Sequence, residues 1–163
     1  MEYKDIIYKT PVKHGLINYE KTYEDFGWEE VKRSFEHFSH DGVNIAHEGI
    51  DRHTSTSHRD KVALLWEDEN GHKKEYTFSD IKRQSDKLAN ALKSIGINKG
   101  DRVFLFLPRI PELYISIIAI AKIGAIAGPM FSAFGPGAIR DRLLNSEAKV
   151  PKIRHMQIKV TVT

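Results

Sequence analysis

Five of the eight histidines crowd into one stretch, His37, His40, His47, His53 and His58. Imidazoles are the commonest metal ligands, but a zinc site needs a closed set of donors at short helix or loop spacings, usually completed by Cys or carboxylates. His37 and His40 can share a helix face, as can His47 and Asp51, yet no H-E-x-x-H spacing occurs and the chain has no cysteine. These histidines are therefore read as solvated, with no metal site and no catalytic residue assigned. Asp51-Arg52-His53 is a second polar cluster. It offers acid–base or anion-binding chemistry, but its place at a helix end favours a capping and ion-pair knot with the cations near the C-terminus. Gly135-Pro136-Gly137 opens a helix. Helix N-termini attract anions, but the reading here is a sterically forced strand-to-helix turn. Neither G-x-x-x-x-G-K-[ST], G-x-G-x-x-G nor G-x-S-x-G occurs, so no phosphate loop or nucleophile elbow of those types is encoded.

The elements that must position these residues follow from the apolar pattern. Asn18 caps a helix over 20–26, Gly27 breaks it, and a second helix runs over 28–38 with Val31, Phe35 and Phe38 on one face. Asn44 suits the N-cap of a helix over 45–53. Residues 62–66 and 75–78 form a hairpin around Asn70-Gly71, a strong reversal signal. Thr77 and Asp80 make a capping box for a helix carrying Ile81, Leu88, Leu92 and Ile95 inward, ended by Gly96 in the left-handed conformation. Residues 103–107 and 125–130 are apolar on both faces, as in a parallel sheet covered on both sides. Pro111 at the first helical position starts the helix that joins them, and Gly124 stops it. This order predicts a right-handed crossover between parallel strands. A last helix over 137–145 turns Ile139, Leu143 and Leu144 inward, and a strand begun at 148–150 is cut by Pro151. Trp28, Phe35, Phe38, Trp66, Phe104 and Phe106 read as core.

Bulk properties narrow the classes. Hydrophobic content of 40% and charged content of 29% describe a soluble globular protein. Acids and bases balance over residues 1–150, so the whole net charge of +3 sits in the tail through Lys152, Arg154 and Lys159. A basic tail without a basic face excludes nucleic acid as the expected partner. The run 113–121 is far short of the ~20 apolar residues a spanning helix needs, so no membrane partner is expected. The N-terminus lacks the basic and apolar regions of a secretory signal, and a cytoplasmic protein is expected.

Three segments together resemble one family. Gly42-Val43-Asn44-Ile45-Ala46 with Ile50-Asp51-Arg52-His53 is similar to the entry segment of AMP-forming acetyl-CoA synthetases, which ends in L-D-R-H. Val62-Ala63-Leu64-Leu65-Trp66-Glu67, Tyr76-Thr77-Phe78 and Ala89-Asn90-Ala91-Leu92 resemble their VALIWE, YTY and ANAL elements. Lys99-Gly100-Asp101-Arg102-Val103, Pro108-Arg109-Ile110-Pro111-Glu112 and Ile123-Gly124-Ala125 resemble KGDRV, MPxxPE and IGA. The three follow in family order and cover residues ~18–150.

The resemblance implies an α/β fold: the partial N-terminal domain of the acyl-adenylate-forming enzymes, with parallel strands 103–107 and 125–130 and a helical N-terminal extension. It divides the chain into 1–58, the extension; 59–150, the start of the AMP-binding α/β domain; and 151–163, an atypical basic tail. The family joins ATP, a carboxylate and CoA, with Mg, into acyl-CoA, AMP and pyrophosphate through an acyl-adenylate. Its phosphate loop, ribose-binding Asp and catalytic Lys would lie beyond residue 150. The loop after the second buried strand touches CoA in the family and maps onto Phe131, Ser132 and Ala133; Ser132 and Ala133 stand where Gly-Gly is frequent. The expectation is a truncated acetate or short-chain acyl-CoA ligase, inactive alone. A gene fragment or frameshift product is one form of that reading; a non-catalytic binding or regulatory module and one half of a split ligase remain alternatives. Helix 113–123 and strand 125–130 would be covered by later layers in the family, so self-association through uncovered apolar surface is expected. Alternation at Met156, Ile158, Val160 and Val162 allows a substitute edge strand from the tail.

Overall fold

A computed structural model describes residues 18–38, 42–146 and 160–162. The chain forms two compact units, 1–35 and 36–163. The first holds α1 (Tyr19–Asp25) and α2 (Trp28–Ser34). Asn18 caps α1 by accepting from the Lys21 N–H at 3.1 Å, and Gly27 separates the helices. No residue of either helix is buried. Helix α2 stops at Ser34 with Phe35 extended, so the expected face of Val31, Phe35 and Phe38 does not form. Trp28 and Phe38, read from sequence as core, are exposed.

The second unit is built on a strand–helix–strand core. Strands β1 (Val62–Glu67) and β2 (Lys73–Thr77) pair antiparallel. Helix α3 (Ile45–Gly49) and a 3₁₀ segment (Asp51–Ser55) precede them, so the single helix expected over 45–53 is split at Ile50. The reversal at Asn70-Gly71 is present, within a five-residue connection over 68–72. Asp68 closes it by accepting from the N–H groups of Asn70 and His72, while Gly71 takes φ +81°. The strand therefore resumes at Lys73, and Phe78 opens the next helix instead of ending the strand.

Helix α4 (Phe78–Ser94) begins with a complete capping box of Thr77 and Asp80. It ends at Gly96, φ +92°, where the N–H of Ile97 reaches Leu92 O and that of Gly96 reaches Lys93 O. That is the Schellman pattern, with Ile97 and Leu92 buried together as its apolar clasp. Ile95, expected inside, is 53% exposed because the left-handed turn hands its inward place to Ile97.

Strand β3 (Arg102–Phe106), helix α5 (Pro111–Lys122) and strand β4 (Ile126–Met130) follow. β3 and β4 are parallel, Arg102 opposite Ile126 through Phe106 opposite Met130, as the resemblance implied. Gly124 closes α5 with the same double bond pattern as Gly96. Val103 and Leu105 point into a core with Leu92, Ile97 and Ile120. Small residues let α4 and α5 approach: Ser85, Ala89, Ser116 and Ala119 are all buried, and both hydroxyls bond back to carbonyls of their own helix. Gly128 faces Phe104 across the sheet; a Cβ there would stand 2.8 Å from its ring. The expected covering of both sheet faces is not found at β4, where Ile126 is 54% exposed.

Helix α6 (Pro136–Asn145) completes the fold before a gap in the described residues. Ile139 and Leu143 are half-buried, but Leu144 is exposed rather than inward. The strand expected at 148–150 lies outside the described residues. Beyond it, β5 (Val160–Val162) pairs antiparallel with β3, so the sheet order is β4-β3-β5. Residues 160–162 thus form an edge strand. No described helix is long and apolar enough to cross a membrane.

Candidate functional site

The topology separates two places where chemistry is concentrated. Helix α5 leaves the carboxyl end of β3 and returns to the amino end of β4. The loop 131–135 therefore sits at the carboxyl ends of the parallel strands, and Lys122 at the opposite end. In open α/β sheets, ligands bind outside the carboxyl ends.

At that carboxyl end, Phe131, Ser132 and Ala133 are all exposed. A turn from the Phe134 N–H to Phe131 O, 3.0 Å, shapes the loop. The rings of Phe131 and Phe134 meet edge to face at 5.8 Å, and the Arg142 guanidinium lies 4.0 Å above Phe134. The product is an exposed aromatic edge beside a cation. Trp66 braces the neighbouring 107–110 loop by donating from Nε1 to Arg109 O at 2.8 Å.

At the opposite end lies a half-buried charged network. Lys122, its side chain only 9% exposed, donates to Asp51 at 2.7 Å and to Asp86. Asp86 also accepts from Lys82 at 2.6 Å. Burial works to raise the Asp86 carboxyl, but the bonds from Lys122 and Lys82 outweigh it and hold the group below the usual carboxylate range. The bond to Asp86 in turn raises Lys82. Asn44 joins the elements here. Its oxygen caps α3 at Ala46 and His47, and its amide donates to Ala121 O at 3.2 Å at the end of α5. An open cavity of about 660 Å³ lies alongside, lined among others by His37, His47, Asp51, Asp86, Asn90 and Lys122.

On the rim of that cavity, Glu36, His37 and His47 come together. His47 Nε2 lies 2.9 Å from Glu36 Oε2, and the His37 and His47 rings are 4.4 Å apart. The Glu48 carboxylate accepts from the backbone N–H groups of both Glu36 and His37, at 3.2 and 3.0 Å, and pairs with Arg52. Burial tends to raise the Glu48 carboxyl, yet these bonds overcome it and bring it to about 2.

The cluster Asp51-Arg52-His53 thus divides between two ion pairs, Asp51 with Lys122 and Arg52 with Glu48. Lys122, Asp86 and Glu48 were not singled out by spacing, because their partners are set by packing between elements far apart in sequence. The clue available for Lys122 was a lone charge in the apolar run of α5. His37 and His47 also lie together for a reason outside any ten-residue period, while His40 lies outside the described residues.

A parallel β-α-β unit with a strand–loop–helix at its carboxyl end is the opening of an α/β fold. The chain belongs to the AMP-binding enzyme family, which matches residues 51–158. It is 49% identical over 138 residues to the acetyl-coenzyme A synthetase of Bacillus subtilis strain 168, covering 84% of this chain and 24% of that protein. It is 40% identical over 108 residues to the 3-hydroxypropionyl-coenzyme A synthetase of Sulfurisphaera tokodaii, covering 66% of this chain and 16% of that one. The crystal structure of a Brucella canis acyl-CoA synthetase superposes with a TM-score of 0.74 at 35% identity, covering 81% of this chain and 24% of the other. The chain therefore spans about a quarter or less of the length of these relatives, and matches their N-terminal part.

Proposed function

We propose that this chain supplies the framework of an AMP-forming acetate or short-chain acyl-CoA ligase, together with part of its CoA surface, and not the groups that react. The observation that carries this is the 49% identity over 138 residues to an acetyl-coenzyme A synthetase of which the chain spans 24%. In this reading residues 1–58 are the N-terminal extension, in which α3 packs on α5 and the 3₁₀ segment on α4. Residues 59–150 open the AMP-binding domain, and 151–163 are a basic tail. The small-molecule partners are CoA, ATP and acetate, and the compartment is the cytoplasm.

The described residues fit the proposed groups unequally. Nothing among them forms a glycine-rich phosphate cradle, so no step through ATP or Mg is assigned to them. The edge of Phe131, with Phe134 under the Arg142 cation, has the mixed apolar and cationic character that a nucleotide-bearing thiol carrier needs. Bound CoA supplies the thiol that accepts the acyl group. Phe131, Ser132 and Ala133 would hold and orient that carrier; they move no proton and form no bond.

The test uses a chimera in which residues 18–146 of this chain replace the matching segment of the Bacillus subtilis relative. Phe131→Ala in the chimera should raise KM for CoA about tenfold, the loss of roughly 1.4 kcal/mol of contact. Acetate-dependent ATP–pyrophosphate exchange, which needs no CoA, should be unchanged. Equal KM for CoA in both chimeras would remove the loop from the CoA surface.

A further inference from the structure

We propose that Glu36, His37 and His47 form a site for a borderline divalent transition metal, best represented by Zn²⁺. The donor set is two imidazoles and one carboxylate, which suits zinc and its neighbours rather than the harder Mg²⁺ or Ca²⁺. One ligand atom from each of the three side chains lies within 4.8 Å of the others. Tetrahedral zinc requires donors ~3.3 Å apart at the usual bond lengths. Glu36 and His47 stand 2.9 Å apart, closer than that spacing, so a small torsional change of the exposed Glu36 side chain opens the pair to admit the ion. His37 is exposed, so a change of its side-chain torsions closes the remaining gap.

The backbone around the three donors is fixed from behind. His47 sits in the first turn of α3, which Asn44 caps and ties to the end of α5. The carboxylate of Glu48, one residue on, grips the backbone N–H groups of Glu36 and His37. Two donors on one strand of chain are thereby held over the third, which stands eleven residues away in sequence from Glu36. These bonds position the backbone segments that carry the donors. His37 and His47 line the open cavity described above, so a water or small anion would have access to an ion held by the three donors. This site is separate from the loop 131–135, which lies at the other end of the β3-α5-β4 unit.

The experiment is competition for Zn²⁺ between the 163-residue chain and a coloured chelator, followed by Co²⁺ loading. The unmodified chain should take up one equivalent of Zn²⁺, and Co²⁺ should give the intense visible bands of a four-coordinate ion. His47→Gln and Glu36→Gln should each weaken Zn²⁺ by about tenfold or more, the loss that even supporting residues produce. His72→Gln, remote and exposed, should change nothing, and far-ultraviolet circular dichroism should show that each variant folds. The alternative is a plain imidazole–carboxylate pair. It predicts no stoichiometric uptake, or uptake as strong in a His37→Ala/His47→Gln double variant as in the parent; either result overturns the proposal.

Discussion

Glu48 shows how one side chain can organise a neighbourhood. It accepts from two backbone N–H groups of residues 36 and 37 and from Arg52. These bonds hold its carboxyl at about 2, below the ordinary 4.5. A carboxyl lowered by folding stabilises the fold above its unfolded pKa, and that contribution fades as pH falls toward the folded value. Asp68, Asp80 and Asp86 are lowered too, so they act in the same direction. Urea midpoints should therefore fall as pH drops from 4.5 toward 2. Glu48→Gln should lower the midpoint at neutral pH and flatten that fall; an unchanged slope would show that Glu48 is not the group being titrated. The sequence revealed half of such residues. Asn44 was recognisable as an N-cap because that bond is local. Its second bond, to Ala121 O across 77 residues, depends on packing that no local spacing encodes.

At the scale of elements, end signals were the most legible. The Thr77–Asp80 box, Gly96, Pro111 and Gly124 all act where their stereochemistry requires, because caps depend only on neighbouring backbone. Inward faces were less legible. Ile95 and Leu144 fit a helical stripe but fall at or near helix ends, where the stripe no longer faces the core. Strand β4 is the largest departure from the pattern. Its sequence reads as covered on both faces, yet it is an edge strand of the described sheet, with Ile126 exposed and Phe131 exposed just beyond it. An exposed apolar edge strand invites pairing with another chain. The chain should associate with a second copy in a concentration-dependent way in sedimentation velocity, and bind a hydrophobic dye. Ile126→Lys should shift it toward monomer. A parent chain that is monomeric at every concentration and gives no dye signal would contradict this.

For the whole molecule, the β3-α5-β4 unit and its parallel register were legible, since long apolar runs bounded by Pro and Gly leave few arrangements. The packing of the remainder was not: α3 and the 3₁₀ segment lie on α5 and α4, contacts set between elements far apart in sequence. The antiparallel placement of β5 beside β3 also depended on which sheet edge was open, a property of the assembled fold. We propose that this framework carries no reacting groups of its own. Positioning and electrostatic stabilisation dominate adenylate chemistry, and no phosphate cradle is found among the described residues. Acetate-dependent ATP–pyrophosphate exchange measures that chemistry directly. The purified 163-residue chain should give the rate of a buffer blank, while the chimera with the Bacillus subtilis remainder should exchange; exchange above the blank by the chain alone would contradict the account.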